Sequence, residues 1–159
     1  SNVGEILQYA RDTRATYAAG GRVPLPRAIA EQIAGDTEGR WFRFRGVRTR
    51  DGDALPIAIT DAYIHARHAD AVERIDPAQS TLFRQLEDTA GIAVHKATQD
   101  IQAVSASAAV AEALGIARRS ATLRILRCYF DGKGRLFEIS VSHHPGDRFA
   151  YSMHIDVEG

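Results

Sequence analysis

The stretch Ala121-Thr-Leu-Arg-Ile-Leu-Arg-Cys-Tyr-Phe-Asp-Gly-Lys-Gly-Arg-Leu-Phe-Glu-Ile-Ser-Val-Ser-His-His144 decides the architecture. Two runs rich in β-branched, aromatic and other apolar residues flank Asp131-Gly-Lys-Gly134, a tight-turn signature, which predicts a hairpin with strands from Ala121 to Phe130 and from Leu136 to His144. Side chains alternate between the two faces of a strand. Phe137, Ile139 and Val141 therefore share one face, and Glu138, Ser140, Ser142 and His144 share the other. A polar stripe of this kind is either a solvated sheet face or the wall of a polar pocket.

Upstream, Trp41 to Thr49 alternates aromatic, arginine and β-branched residues, Asp51-Gly-Asp53 signals a turn, and Pro56 to Ile64 reads as a second strand. Alternation puts Phe42, Phe44, Gly46 and Arg48 on one side and Arg43, Arg45, Val47 and Thr49 on the other. Arg48 then either leaves the strand end into solvent or enters a pocket, where its planar fork suits a carboxylate or phosphate. A helix through about Thr89 follows, with Ser80 or Thr81 at its N-cap and Leu82, Phe83 and Leu86 as its apolar stripe. Those two hydroxyls serve as caps or as part of an anion site at the positive end of the helix.

The remaining pattern predicts a short helix over Glu5 to Arg14, a helix from Pro26 to about Ala34, a strand from Ala93 to Val104, and a helix from Ser105 to Leu114. A last strand is predicted over Arg148 to Val157. Hairpins with interspersed helices place the chain in the α+β class, with a mainly antiparallel sheet and flanking helices.

Composition narrows the function classes. At 159 residues the chain makes one domain, and its 20 basic and 20 acidic residues cancel, so it has no global attraction to nucleic acid or an anionic membrane. No stretch approaches the roughly 20 apolar residues of a membrane span, and no membrane partner is expected. A single cysteine, Cys128, excludes an internal disulfide or a cysteine-based zinc site and agrees with a cytoplasmic location; it serves as a buried hydrophobe or as a reactive thiol. Ser1-Asn2 before Val3 has the look of a tag remnant, so the domain is expected to span residues 3–159 of a longer chain.

Six histidines raise a metal reading, but His143 and His144 are adjacent in a strand and point to opposite faces, while His65 and His68 start a surface helix. No metal is expected. No G-x-S-x-G, P-loop or G-x-G-x-x-G element is present, so neither nucleophilic catalysis nor nucleotide binding has support, and no cofactor is expected.

Taken in order, the arginine-bearing strand, Asp51-Gly52, Pro56 to Ile64, Ser80-Thr-Leu-Phe83, Gly91 to Ala103, Ala113-Leu-Gly-Ile116, Leu123 to Arg127, and Phe137-Glu138 with Pro145-Gly-Asp-Arg-Phe149 resemble the UTRA effector-binding domain of HutC-type regulators in the GntR family. The resemblance implies a chorismate lyase-like fold, a homodimer, a repressor-type regulator, and a winged helix-turn-helix N-terminal to this domain through which alone DNA would be met. It also implies ligand contacts. Members sensing phosphorylated sugars carry an Arg-x-Arg pair where this chain has Gly46-Val47-Arg48, a glutamate at Thr60, a serine at Thr81 beside Ser80, a basic residue at Lys96 and a tyrosine at Phe149. With Glu138, Ser140 and His144 from the polar stripe, these make the expected effector site. The ligand expected is an anionic or carboxylate-bearing metabolite, with Gly46 and Thr60 leaving room for a bulkier group. The alternative is a chorismate lyase-like enzyme using Arg48 to grip an aromatic carboxylate and Glu138 as acid or base.

Overall fold

The computed structural model describes residues 13–79 and 81–158. The expected helix over Glu5 to Arg14 and the proposed tag remnant lie outside them, except that Arg14 begins a strand. The elements run β1 (Arg14–Pro24), α1 (Arg27–Ala30), β2 (Arg40–Thr49), β3 (Ala58–His65), a 3-10 turn (Ala66–His68), α2 (Ala69–Val72), α3 (Leu82–Ala90), β4 (Lys96–Ser105), α4 (Ala108–Leu114), β5 (Ala121–Phe130) and β6 (Leu136–Pro145). One antiparallel sheet contains all six strands in the order β1-β2-β3-β6-β5-β4. The α+β expectation holds.

Both hairpins follow from their turns. Asp131 organises the second: its carboxylate accepts from the backbone N–H of Lys133 and of Arg135, each at 2.9 Å, while Gly134 adopts φ 76°. The first, wider connection closes with Asp53 N donating to Arg50 O at 3.0 Å, and Gly52 takes φ 90°.

The alternation read from the sequence resolves into two packed faces, with one correction: the register shifts at Tyr129/Phe130, and Phe137 packs with Phe44 and Tyr129 instead of sharing the face of Ile139 and Val141. One face carries Trp41, Tyr63, Leu126, Cys128, Ile139 and Val141, closed by Leu25 and Ile29 from the α1 region. The other carries Phe44, Ala62, Ile64 and Tyr129, closed by Ala71 of α2, Ile75, and Leu82, Phe83 and Leu86 of α3. Trp41, Ile64, Leu86 and Ile139 are wholly inaccessible. Burying each large apolar side chain contributes ~1.5–3 kcal/mol, so the two clusters hold helices against both sides of the sheet.

α3 is amphipathic as expected, and Gly91 ends it in the left-handed conformation. The Gln85 side chain fastens it to the preceding loop by accepting from Asp76 N (2.8 Å) and donating to Asp76 O (3.0 Å). For α4, Ser107 is the cap, its Oγ accepting from Val110 N at 3.2 Å.

Two expected elements differ. The helix from Pro26 is a single turn, because after Ala30 the backbone tightens into i to i+3 bonds (Gln32 N to Ile29 O, Ile33 N to Ala30 O) before Gly35 breaks it. The strand expected over Arg148 to Val157 does not form. Its alternation is real, but among the described residues no neighbouring strand supplies the ladder that a strand requires.

Candidate functional site

Register decides what the polar stripe of β6 faces. Across the sheet, Arg48 of β2 lies opposite Ala58 and Gly46 opposite Thr60. Thr60 then pairs with Ser142, Ser140 with Arg127, and Glu138 with Tyr129. All these side chains emerge on the side covered by α3. They line a cleft between the sheet and the first turn of α3, which contributes Thr81, Leu82 and Phe83. The free space enclosed is about 40 Å³.

The cleft is polar and closely packed. Glu138 is 3% exposed and its Oε1 has no hydrogen-bond partner among the described residues. Burial pushes the Glu138 carboxyl up to about 8, so it is largely protonated at neutral pH. His144 is equally enclosed; burial, together with the nearby Arg127 charge, pushes its imidazole down to about 3, leaving it neutral. The phenols of Tyr17 and Tyr129 are also held above their ordinary value by burial, with Arg48 pulling Tyr17 and Arg127 pulling Tyr129 partly back. An uncharged carboxyl, a neutral imidazole, two phenols and two guanidiniums thus share one enclosed space.

Arg48 enters this space and does not emerge into solvent: it is 8% exposed and donates to Thr13 Oγ1 at 2.8 Å. Arg127 reaches in from β5 and donates through Nε to Gln99 Oε1. The Thr60 and Ser142 hydroxyls are hydrogen-bonded to each other at 2.8 Å.

Thr81 sits at the N-cap position, yet its side chain makes no capping bond and its backbone is left-handed (φ 63°, ψ 84°). For a β-branched residue this conformation is strained by ~1–3 kcal/mol, and such strain is typical of ligand-binding segments. The capping reading of Thr81 is therefore replaced by one in which the fold holds it against the cleft.

Of the expected site residues, Arg48, Thr60, Thr81, Glu138, Ser140 and His144 come together here. Phe149 stacks on His144, ring centroids 3.9 Å apart and planes 27° from parallel, and so backs the wall. Ser80 lies outside the described residues. Lys96 does not belong: paired with Phe130, it falls on the opposite face, exposed, with its ammonium 4.6 Å from the Phe130 ring centroid. The second cation of the cleft is Arg127.

Tyr17 overturns a further expectation. The space above Gly46 is filled, since a Cβ there would come within 2.6 Å of the Tyr17 ring. Glycine at 46 admits this tyrosine from β1, not a larger ligand. Arg127, Tyr17 and Tyr129 were all absent from the expected site, although counting across from Ser140 and Glu138 would have reached two of them.

His65 and His68 serve structure. His65 stacks edge-on against Trp41 and accepts from Arg67 N, and His68 lies edge-on to Phe137. Among the described residues no group of three or more His, Cys, Asp or Glu could hold a metal, and no helix is long and apolar enough to cross a membrane. Burial pushes the Cys128 thiol up to about 11, which favours its reading as a buried hydrophobe.

Comparison with known proteins identifies the fold and the family. The family model of the UTRA domain matches residues 9–150. A curated relative, the HTH-type transcriptional regulator Rv0792c of Mycobacterium tuberculosis, is 32% identical over 133 residues, covering 82% of this chain and 48% of its own length. The chain therefore spans about half of that relative. Among solved structures, the effector domain of PhnF from Mycobacterium smegmatis superposes with a TM-score of 0.74 at 18% identity, over 92% of this chain and 91% of that one. A GntR family transcriptional regulator from Enterococcus faecalis V583 gives 0.70 at 24% identity, over 90% and 99%. These two show the shared fold, and the match over residues 9–150 shows the family: the chain belongs to the UTRA domains.

Proposed function

We propose that this chain is the small-molecule sensing domain of a cytoplasmic, homodimeric bacterial transcription regulator, and that its effector binds in the cleft between β2, β3, β6, β5 and the start of α3. The observation that carries this reading is the cleft itself: Arg48, Arg127 and the buried Glu138, whose Oε1 has no partner among the described residues, enclosed on one face of the sheet. Buried polar groups without partners are costly, and they are retained where a ligand satisfies them. The two guanidiniums suit an anionic, carboxylate-bearing metabolite. The protonated Glu138, able to donate a hydrogen bond, suits an acceptor elsewhere on it.

The enclosed space of about 40 Å³ holds little more than a water molecule. Effector binding therefore requires the wall to open, and the strained Thr81 at the start of α3 marks where. A ligand that binds the opened arrangement better shifts the population toward it. In the full regulator this bias reaches DNA through an N-terminal winged helix-turn-helix, with repression as the default output. The relative and the solved structures are regulators, which favours a sensor over the lyase alternative.

A thermal-shift screen with organic acids, sugar phosphates, amino acids and nucleosides identifies the effector class, because stabilisation grows with the logarithm of ligand concentration. Stabilisation confined to carboxylates or phosphates supports the anion site. Stabilisation by neutral nucleosides alone contradicts it, and release of 4-hydroxybenzoate from chorismate would favour the enzyme.

A further inference from the structure

The apolar face of the sheet is closed over Trp41 and Tyr63 by Leu25 and Ile29. Further along the same strands, α4 packs against β3 and β6 and leaves a hollow of about 370 Å³ beside it. This is far larger than the free space of the polar cleft, and it falls in the range of ~300–1,000 Å³ typical of small-molecule sites. Strand alternation makes the hollow the reverse side of the cleft. Val47 lines it where Arg48 lines the cleft, and Ile59 and His143 stand in the same relation to Thr60 and His144. The effector proposed above makes no use of it.

Its walls are apolar and its rim is charged. Val47, Ile59 and Val141 supply the sheet side, and Ala109, Val110 and Ala113 the α4 side. Alanine at 109 and 113, one helical turn apart, leaves the space that larger side chains there would fill. At the rim, Arg43 and Arg45 both donate to one oxygen of Asp61, Oδ1, at 3.3 and 3.1 Å. Two guanidiniums thus share one carboxylate, Arg43 Nε has no partner among the described residues, and one positive charge is left over. The half-buried His143 ring makes no hydrogen bond to any described residue. Burial, helped by the Arg124 charge and opposed by Asp61, pushes its imidazole down and leaves it neutral.

We propose that this hollow is a second ligand site, built for a small amphipathic organic anion. An apolar ring or branched chain lies between α4 and the sheet, and its single carboxylate meets Arg45 at the rim, with His143 as the hydrogen-bonding group of the wall. The surplus of guanidinium disfavours a cation. A sugar or other compound with many hydroxyls is disfavoured by walls that offer it few hydrogen bonds. The occupant therefore differs in kind from that of the cleft, where the polar groups are enclosed and little apolar room is left.

The test is NMR of the methyl-labelled intact chain, with 1-naphthoate as the probe and 1-naphthamide as its neutral counterpart. Naphthoate is expected to move the methyl signals of Val47, Ile59 and Val110 saturably, with a Kd below about 1 mM, and to leave those of Leu82 in the cleft unmoved. The amide is expected to bind at least about fivefold more weakly. Arg45→Glu, at an exposed position and with unchanged circular dichroism, is expected to weaken naphthoate at least about tenfold. Ala113→Trp, which fills the hollow, is expected to abolish the saturable shifts. No saturable shift at these methyls, a shift at Leu82 in their place, or equal binding of acid and amide overturns the site. Methyl signals that move with the concentration of the chain itself and ignore naphthoate also overturn it, because a second copy then fills the hollow. Should Arg45→Glu fail to fold, the comparison of acid with amide on the unaltered chain decides alone.

Discussion

The two faces of the sheet are built from the same strands, one residue out of step, and they do opposite things. On one face Trp41, Tyr63, Leu126, Ile139 and Val141 close into an apolar layer. On the other, the apolar layer of Phe44, Ile64 and Phe83 is interrupted by Glu138, Arg48 and His144, all nearly inaccessible. A face that only had to stabilise the fold would not carry them, since each buried polar group costs free energy unless its hydrogen bonds are made. The first face is therefore read as scaffold, and the second, on the proposed function, as giving up stability for recognition.

That contrast is open to direct attack. The largest effect is expected on the scaffold face: Trp41→Ala should lower unfolding stability by ~3–5 kcal/mol, measured by urea denaturation. A loss under 1 kcal/mol would mean the apolar layer is not the anchor of the fold.

On the cleft face the expected sign reverses. The Glu138 carboxyl titrates near 8 when folded against 4.5 when free, so the native state holds the proton more tightly. Stability is then greatest below about pH 4.5 as far as this group is concerned, and is lost progressively as pH rises toward 8. Glu138→Gln keeps the neutral form at all pH values, and should stabilise the chain by on the order of 4 kcal/mol at pH 8 with little change at pH 4. A pH-independent difference would show that the carboxyl is not buried as described.

A third change probes the boundary between the faces. Gly46→Ala places a methyl against the Tyr17 ring and should cost ~1–3 kcal/mol through displacement of β1. Rescue by Tyr17→Ala in a double-mutant cycle would show that the two residues are coupled, while simple additivity would show that they are not.

The sequence made much of this visible, and the misses have physical causes. β2, β3, β5 and β6 were legible because their alternation is strong and their turns carry Gly and Asp at the required positions. β1 was not read as a strand, since Ala18-Ala-Gly-Gly21 gives no contrast between faces. The final strand was overread because alternation describes a surface and does not supply a neighbour. Within the site, Arg48 could be placed by counting along β2 from Phe42 and Phe44. Thr60, Glu138, Ser140 and His144 likewise fell where strand parity put them. Lys96 was named on a resemblance, and one step of register moved it to the wrong side of the sheet. Arg127 hid inside an apolar run, where only the cross-strand pairing with Ser140 reveals the direction of its side chain.

The central claim is that Arg48 and its neighbours on the α3 side bind an anionic effector. The most direct measurement is a calorimetric titration, with an effector found by thermal shift, of the unaltered chain, Arg48→Ala and Lys96→Ala. Arg48→Ala should remain folded and bind more than about tenfold more weakly, a loss above ~1.4 kcal/mol, while Lys96→Ala stays within about twofold of the unaltered chain. Unchanged affinity in Arg48→Ala, or a loss confined to Lys96→Ala, would contradict it.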